Sequence, residues 1–303
     1  MYKNIIIIPP CHTYGDCLSV IGMVYFLLDY YNNIYFWIGS CEKIYLYYDI
    51  FFKKCKYYNN RIFIIYNKSP EELINNNSYD TFHICNVLSG YWKEPSVLFK
   101  NNKNIDTKYY FNDKNPLNNI LEIPEKYLCI PNSHYPPTTI DINHLFYYKL
   151  VGLNNIVRMD YFHYERDHDK EDFIKKSILK KYNINNDEKY NIINNIINNI
   201  HDKYKFIKNN FKSVIIDFQA DCPGLLLKLI EDAETIHLGE GSNVNFIYHC
   251  QYKNIMNSNI IINFHIWPHN RCWSEYKLDY AWKMMDMPRL HNWKFIFNKD
   301  DAI

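Results

Sequence analysis

The chain has 303 residues, more than a single hydrophobic core commonly reaches, so two domains are expected. Lys and Arg number 34 against 33 Asp and Glu, and a balance of +1 excludes a polyanion-coating protein held by many phosphate contacts. With 48% hydrophobic and 17% aromatic residues there is material for a core, which excludes global disorder, and 40 Asn beside 29 Tyr report an A+T-rich genome before they report function.

Ile5 to Ile8 is a β-branched run without polar alternation, stopped by Pro9-Pro10, the pattern of a strand buried on both faces. A polar loop, Cys11 to Asp16, leads into Cys17 to Tyr31, which is apolar nearly all round and predicts a buried helix. Ile34 to Ile38 reads as a strand, Glu42 to Phe52 as a helix, Arg61 to Tyr66 as a strand, Pro70 to Asn75 as the start of a short helix and Phe82 to Val87 as a fourth strand. The stretch from 91 to 145 is rich in Asn, Lys and Pro and reads as irregular connection. Asp167 to Lys181 is a charged helical stretch. Ile192-Ile193, Ile196-Ile197 and Ile200 recur at helical spacing and predict an amphipathic helix, with a low-complexity insertion as the alternative. Alternation then restarts: strand Val214 to Phe218, helix Gly224 to Asp232, strand Thr235 to Leu238, helix Val244 to Asn254, strand Ile260 to Phe264 and helix Glu275 to Met285. The expectation is an α/β chain of two Rossmann-like domains, 1–145 and 146–303, facing each other across a cleft.

Nine Cys spread without a C-x-x-C pair give neither a disulfide framework nor a zinc ribbon, and most lie in apolar runs as buried thiols. Ile5 to Ile8 is too short for a signal-peptide core, and the longest apolar stretch, Cys17 to Leu28, is too short for a membrane span. A soluble cytoplasmic protein is expected.

In open parallel sheets ligands bind beyond the carboxyl ends of the strands, so two loops matter most. In Cys11 to Asp16, His12 titrates near neutral pH and Asp16 is either a helix cap or a catalytic carboxylate. In the loop Gly239, Glu240, Gly241, Ser242, Asn243, backbone N–H groups opening a helix suit a phosphate, and Glu240 is placed to accept ribose hydroxyls. A capped turn is the plainer reading, and the Gly-rich dinucleotide and P-loop patterns are absent. His265 and Arg271 follow the Ile260 strand, where a diphosphate charge would be met. His265, His269 and Cys272 have zinc-like spacing, but Pro268 intervenes and only His249-Cys250 offers a supplement, so cleft lining is preferred. Asp167-His168-Asp169 has the form of a metal-holding D-x-D, yet acidic residues opening a helix are expected from its dipole alone. The aromatic runs at Tyr45, Tyr47, Tyr48 and at Trp273, Trp282, Trp293 read as packing before sugar platforms.

The opening Asn4 to Pro9 followed by Tyr14-Gly15-Asp16-Cys17-Leu18-Ser19 resembles the strand, Gly-Asp turn and buried helix of heptosyltransferase-like GT-B glycosyltransferases. Phe146 to Leu150 with Arg158, Phe162, Arg166-Asp167 and Glu171 is similar to a mid-chain signature of uncharacterised viral and bacterial relatives, and Ile230 to Leu238 with Glu240-Gly241-Ser242 resembles their nucleotide-sugar turn. The matches touch both halves and about a quarter of the chain. The resemblance implies acceptor binding by the N-terminal domain, donor binding by the C-terminal domain, no metal and no cofactor beyond the nucleotide-sugar substrate. It makes Asp16 the candidate general base with His12 beside it, and Glu240, Gly241, Ser242, Asn243, His265 and Arg271 candidate donor contacts. The partners expected are a nucleotide sugar and a glycan or other hydroxyl acceptor, with no nucleic acid. The alternative is a glycan- or nucleotide-binding protein without catalysis, and a metal-dependent transferase using Asp167 and Asp169 is a third option. The departures from the family are a reduced Gly-rich turn, a poor match over 182–210 and no strong basic cluster.

Overall fold

The computed structural model describes residues 2–9, 14–40, 42–53, 55–69, 72–74, 82–87, 110–111, 116–129, 148–194, 211–216, 223–239, 242–257, 259–265 and 290–296. The chain forms two compact units, Met1–Glu165 and Arg166–Ile303. Each is built on its own all-parallel five-stranded sheet with helices, so the protein is α/β.

The first sheet has the order β3-β2-β1-β4-β5, with β1 at Tyr2–Ile8, β2 at Tyr31–Trp37, β3 at Ile62–Ile65, β4 at Phe82–Asn86 and β5 at Tyr110–Phe111. The run Ile5 to Ile8 is fully buried, as a central parallel strand with both faces covered requires. Ile6 and Ile8 pack with Ile65, Ile74, Phe82 and Ile84 on one face. On the other face Cys85 Sγ lies 3.5 Å from Met23 Sδ.

The expected helix Cys17 to Tyr31 is instead two helices, Tyr14–Ser19 and Ile21–Leu27, broken at Val20, and Tyr31 already begins β2. The break has a specific cause. The Tyr148 hydroxyl donates to Ser19 O at 3.0 Å and accepts from Met23 N at 3.1 Å, taking the place of the helical bond those two groups would otherwise share. Beside it a Cβ on Gly22 would stand 2.6 Å from Arg158 Cα, so only glycine lets helix Ile156–Asp160 approach this closely. These contacts carry residues 148–165 into the first unit, and the division falls at Glu165/Arg166 where the sequence suggests 145/146.

The second sheet has the order β10-β9-β8-β6-β7, with β6 at Tyr190–Asn194, β7 at Lys212–Ile216, β8 at Thr235–Gly239, β9 at Ile261–His265 and β10 at Trp293–Ile296. Residues 190–194 are thus a strand where helical spacing suggested a helix. All five are buried between β7 and β8, and the short apolar pair Ile192-Ile193 fits either structure. Residues 196–200 and the expected helix Glu275 to Met285 lie outside the described residues.

Helix His168–Lys181 starts at Asp167, whose side chain accepts from Lys170 N, so the first Asp of the D-x-D serves as a helix cap. The turn Pro223–Leu226 continues into helix Leu227–Glu231, and helix Ser242–Tyr252 follows β8. With 8 Gly in the chain, Asn takes over left-handed positions: Asn183 (φ 53°) and Asn254 (φ 54°) close the helices ending at Lys181 and Tyr252. Cys17, Cys55, Cys85, Cys129 and Cys250 are thiols outside any disulfide, all buried except the half-buried Cys129. Among the described residues no helix is long and apolar enough to cross a membrane.

Candidate functional site

Strand order fixes where each unit can take a ligand. From β1 the first sheet grows to β2 and β3, then returns to add β4 on the other side of β1. The order therefore reverses at the carboxyl ends of β1 and β4, where Ile8 pairs with Asn86 and Val87 N donates to Ile8 O at 3.1 Å. The 11–16 loop leaves from this point. In the second sheet β6 is flanked by β7 and β8, so the reversal lies at the carboxyl ends of β6 and β8, at Asn194 and Gly239. The loop carrying Glu240 and Gly241 leaves from there. Both loops singled out in the sequence thus leave at the reversal point of a doubly wound sheet.

Helix Tyr14–Ser19 begins two residues before Asp16, so Asp16 is the third helical residue, inside the first turn, past the cap position that was one of its two readings. His12 lies outside the described residues. On the donor side, Ser242 and Asn243 open helix Ser242–Tyr252, while Glu240, Gly241 and Arg271 lie outside the described residues. The helix begins three residues after β8 ends, and the first N–H groups of a helix are the kind of group that can meet an anion.

His265, the last residue of β9, is half-buried and occupied by a partner that the sequence reading missed. Its Nε2 lies 2.9 Å from His237 Nδ1, and the ring centroids are 5.2 Å apart. His237 is 5% exposed in the middle of β8. Burial pushes its imidazole down to about 4, so it is neutral at pH 7. Its other nitrogen, Nε2, lies 3.4 Å from Thr235 Oγ1, which donates at 2.8 Å to Asn191 Oδ1 on β6. Four residues from three neighbouring strands are therefore linked on one sheet face. The register requires this, because Asn191 is opposite Thr235 and Gly239 opposite His265. The alternation Thr235, His237, Gly239 against Ile236 and Leu238 was the legible signal. Asn194, 1% exposed at the end of β6, is a further polar residue at the reversal point.

His249 and Cys250 do not join His265. Helix Ser242–Tyr252 packs through Tyr248 on Trp293 (5.5 Å between centroids), Trp293 contacts Phe264 at 6.2 Å, and His265, next in β9, faces the other side of the sheet. His249 Nδ1 bonds Asn245 O. His269 and Cys272 lie outside the described residues, and among the described residues no three His, Cys, Asp or Glu gather as a metal site. Tyr47 and Tyr48 are core residues, while Tyr45 stacks on Tyr66 at 4.6 Å. Trp293 is buried, and Trp273 and Trp282 lie outside the described residues.

A second charged cluster is structural. Arg166 bonds Glu171 Oε2 at 2.5 Å and Glu231 Oε1 at 2.6 Å, and donates to Ile255 O at 3.2 Å. Glu171 is fully buried. Burial pushes the Glu231 carboxyl up, but the bonds from Arg166 and Asn257 N outweigh it and hold the group below the usual carboxylate range. The cluster ties the start of the second unit to helices His168–Lys181 and Leu227–Glu231.

No family model matches the chain, and no curated protein matches it. Among solved structures, the glycosyl transferase family 9 protein from Veillonella parvula DSM 2008 is similar at 8% identity, covering 99% of this chain and 86% of that one, with a TM-score of 0.46.

Proposed function

We propose that the chain is a glycosyltransferase that moves a sugar from a nucleotide-sugar donor, held by the C-terminal unit, to a hydroxyl of a glycan or similar acceptor, held by the N-terminal unit. The observation that carries this reading is the position of the two loops. Each leaves the carboxyl end of a parallel sheet where strand order reverses, and each leads into a helix, at Tyr14 and at Ser242.

In this reading the Asp16 carboxylate, with His12 beside it, takes the proton of the acceptor hydroxyl as that oxygen attacks the anomeric carbon. The bond from the anomeric carbon to the diphosphate oxygen breaks, and its electron pair leaves with the diphosphate. The N–H groups opening helix Ser242–Tyr252, around Gly241, Ser242 and Asn243, and the Arg271 guanidinium meet the growing negative charge. Glu240 accepts the ribose hydroxyls, and His265 completes the donor contacts. The residues do this work without a metal.

The test is release of nucleoside diphosphate from a panel of UDP-, GDP- and ADP-sugars, with and without glycan acceptors. Asp16→Asn is expected to lower turnover by about 10²-fold or more while donor affinity and melting temperature stay as in wild type. Retained activity in that variant removes Asp16 from the chemistry. Binding of a nucleotide sugar with no turnover by the wild type assigns the chain to the class of non-catalytic binding proteins.

A further inference from the structure

The chain Asn191, Thr235, His237, His265 carries information about protons that its members do not carry singly. The Thr235 hydroxyl proton is committed to Asn191 Oδ1 at 2.8 Å, so the Thr235 oxygen can meet His237 Nε2 only as an acceptor. His237 Nε2 therefore holds a proton. A neutral imidazole has one N–H, so His237 Nδ1 is a lone pair, and the proton between the two rings belongs to His265 Nε2. With 2.9 Å between the nitrogens and 5.2 Å between the centroids, the two nitrogens face one another along the line of centres. That is hydrogen-bond geometry, in which the two lone pairs do not converge on a shared metal ion.

We propose that His237 is a positioning residue that fixes His265 as its Nε2–H tautomer, so that His265 meets the donor through Nδ1 as the acceptor of a hydroxyl of the transferred sugar, not as a donor to phosphate. The inference rests on the donor-site reading of the C-terminal unit and refines it. In that tautomer Nδ1 carries the lone pair and can only accept. Among the described residues on this face of β6, β8, β9 and β10, the neighbours are Asn191, Ile193, Thr235, Asn263 and Ile296, with Lys294, exposed and level with Asn263, as the charged one. Burial keeps His237 neutral, as the arrangement needs.

The experiment is long-range ¹H–¹⁵N NMR of the histidine rings at pH 7.5 in the full chain, for wild type, His237→Phe, His237→Gln and Thr235→Val, with His265→Gln to assign the signals. In wild type both rings are expected as Nε2–H tautomers. In His237→Phe the His265 ring becomes a mixture of tautomers, and in His237→Gln, where Oε1 replaces the lone pair, it returns to Nε2–H. Thr235→Val, a smaller change at a half-buried site, loosens the tautomer of His237 itself and keeps the test alive if His237→Phe does not fold. An Nδ1–H tautomer of His265 in wild type, or one unmoved by loss of the His237 ring, overturns the proposal. The same samples titrated with UDP, GDP, ADP and their hexose esters read the ligand. Weakening of the hexose esters by about tenfold in His237→Phe, with the bare diphosphates less affected, supports the hydroxyl role. Equal weakening of both overturns it. A wild-type chain that binds none of them overturns the donor reading and the hydroxyl role together, while the tautomer lock stands or falls on the ligand-free spectra.

Discussion

The Tyr148 hydroxyl accepts a hydrogen bond from Met23 N at 3.1 Å, 125 residues away in sequence, and so stands inside the ladder of a buried helix. It donates in turn to Ser19 O, and burial pushes its own phenol well above the usual range, so it is a neutral donor and acceptor at any physiological pH. Tyr148→Phe leaves Met23 N and Ser19 O buried without that bridge. A loss of about 1–3 kcal/mol is expected in urea unfolding, with the secondary-structure signal of the native state unchanged. A neutral effect would show that the two helices rejoin into one.

The Arg166 cluster predicts an asymmetry between its members. Arg166→Met strands the carboxylates of Glu171 and Glu231 inside the second unit, and about 3–5 kcal/mol of stability is expected to be lost. Glu171→Gln keeps an acceptor for the guanidinium and removes one of two negative charges, so its cost should be well below that of Arg166→Met. Denaturant titration of the two variants side by side checks the ranking.

Acid should destabilise both units through one buried histidine each. Burial lowers His83 and His237 from 6.5 to about 4. Between those values the unfolded chain binds protons that the folded chain refuses, so stability is complete above about pH 6.5 and falls as pH drops toward 4. The slope is about 1.4 kcal/mol per pH unit for each histidine at full effect. In the second unit, His237→Gln should flatten the limb between pH 7 and 5 by one proton, read by urea unfolding at each pH.

Asn183 sits at φ 53° after helix His168–Lys181. Asn183→Ala is expected to cost about 1 kcal/mol and Asn183→Gly to be neutral or stabilising, as thermal unfolding would record. The composition that marks the genome thus acquires a structural use where glycine is scarce.

What the sequence made legible follows from periodicity and length. Helix Glu42–Phe52 was readable from its length, and the strands around Ile5 to Ile8, Phe82 to Asn86 and Ile261 to His265 from short runs rich in β-branched and aromatic residues, the first stopped by Pro9-Pro10. β6 was not, since Ile192-Ile193 with Ile196-Ile197 fits a helix equally well until β7 and β8 claim it. The break at Val20 was hidden because its cause, Tyr148, arrives from a distant segment. At the candidate site the two loops were singled out because each follows a predicted strand and leads into a predicted helix, whereas His237 was passed over: its role depends on a register that pairs β8 with β9 and places His265 one step further along.

The most direct test of the central claim is a crystal structure of the full chain with a bound nucleoside diphosphate, chosen by affinity from UDP, GDP and ADP. The account predicts the diphosphate beyond the carboxyl ends of β6 and β8, against residues 239–243 and the start of helix Ser242–Tyr252. A nucleotide bound at the amino ends of the strands or on the N-terminal unit, or no binding of the panel at millimolar concentration, would contradict it.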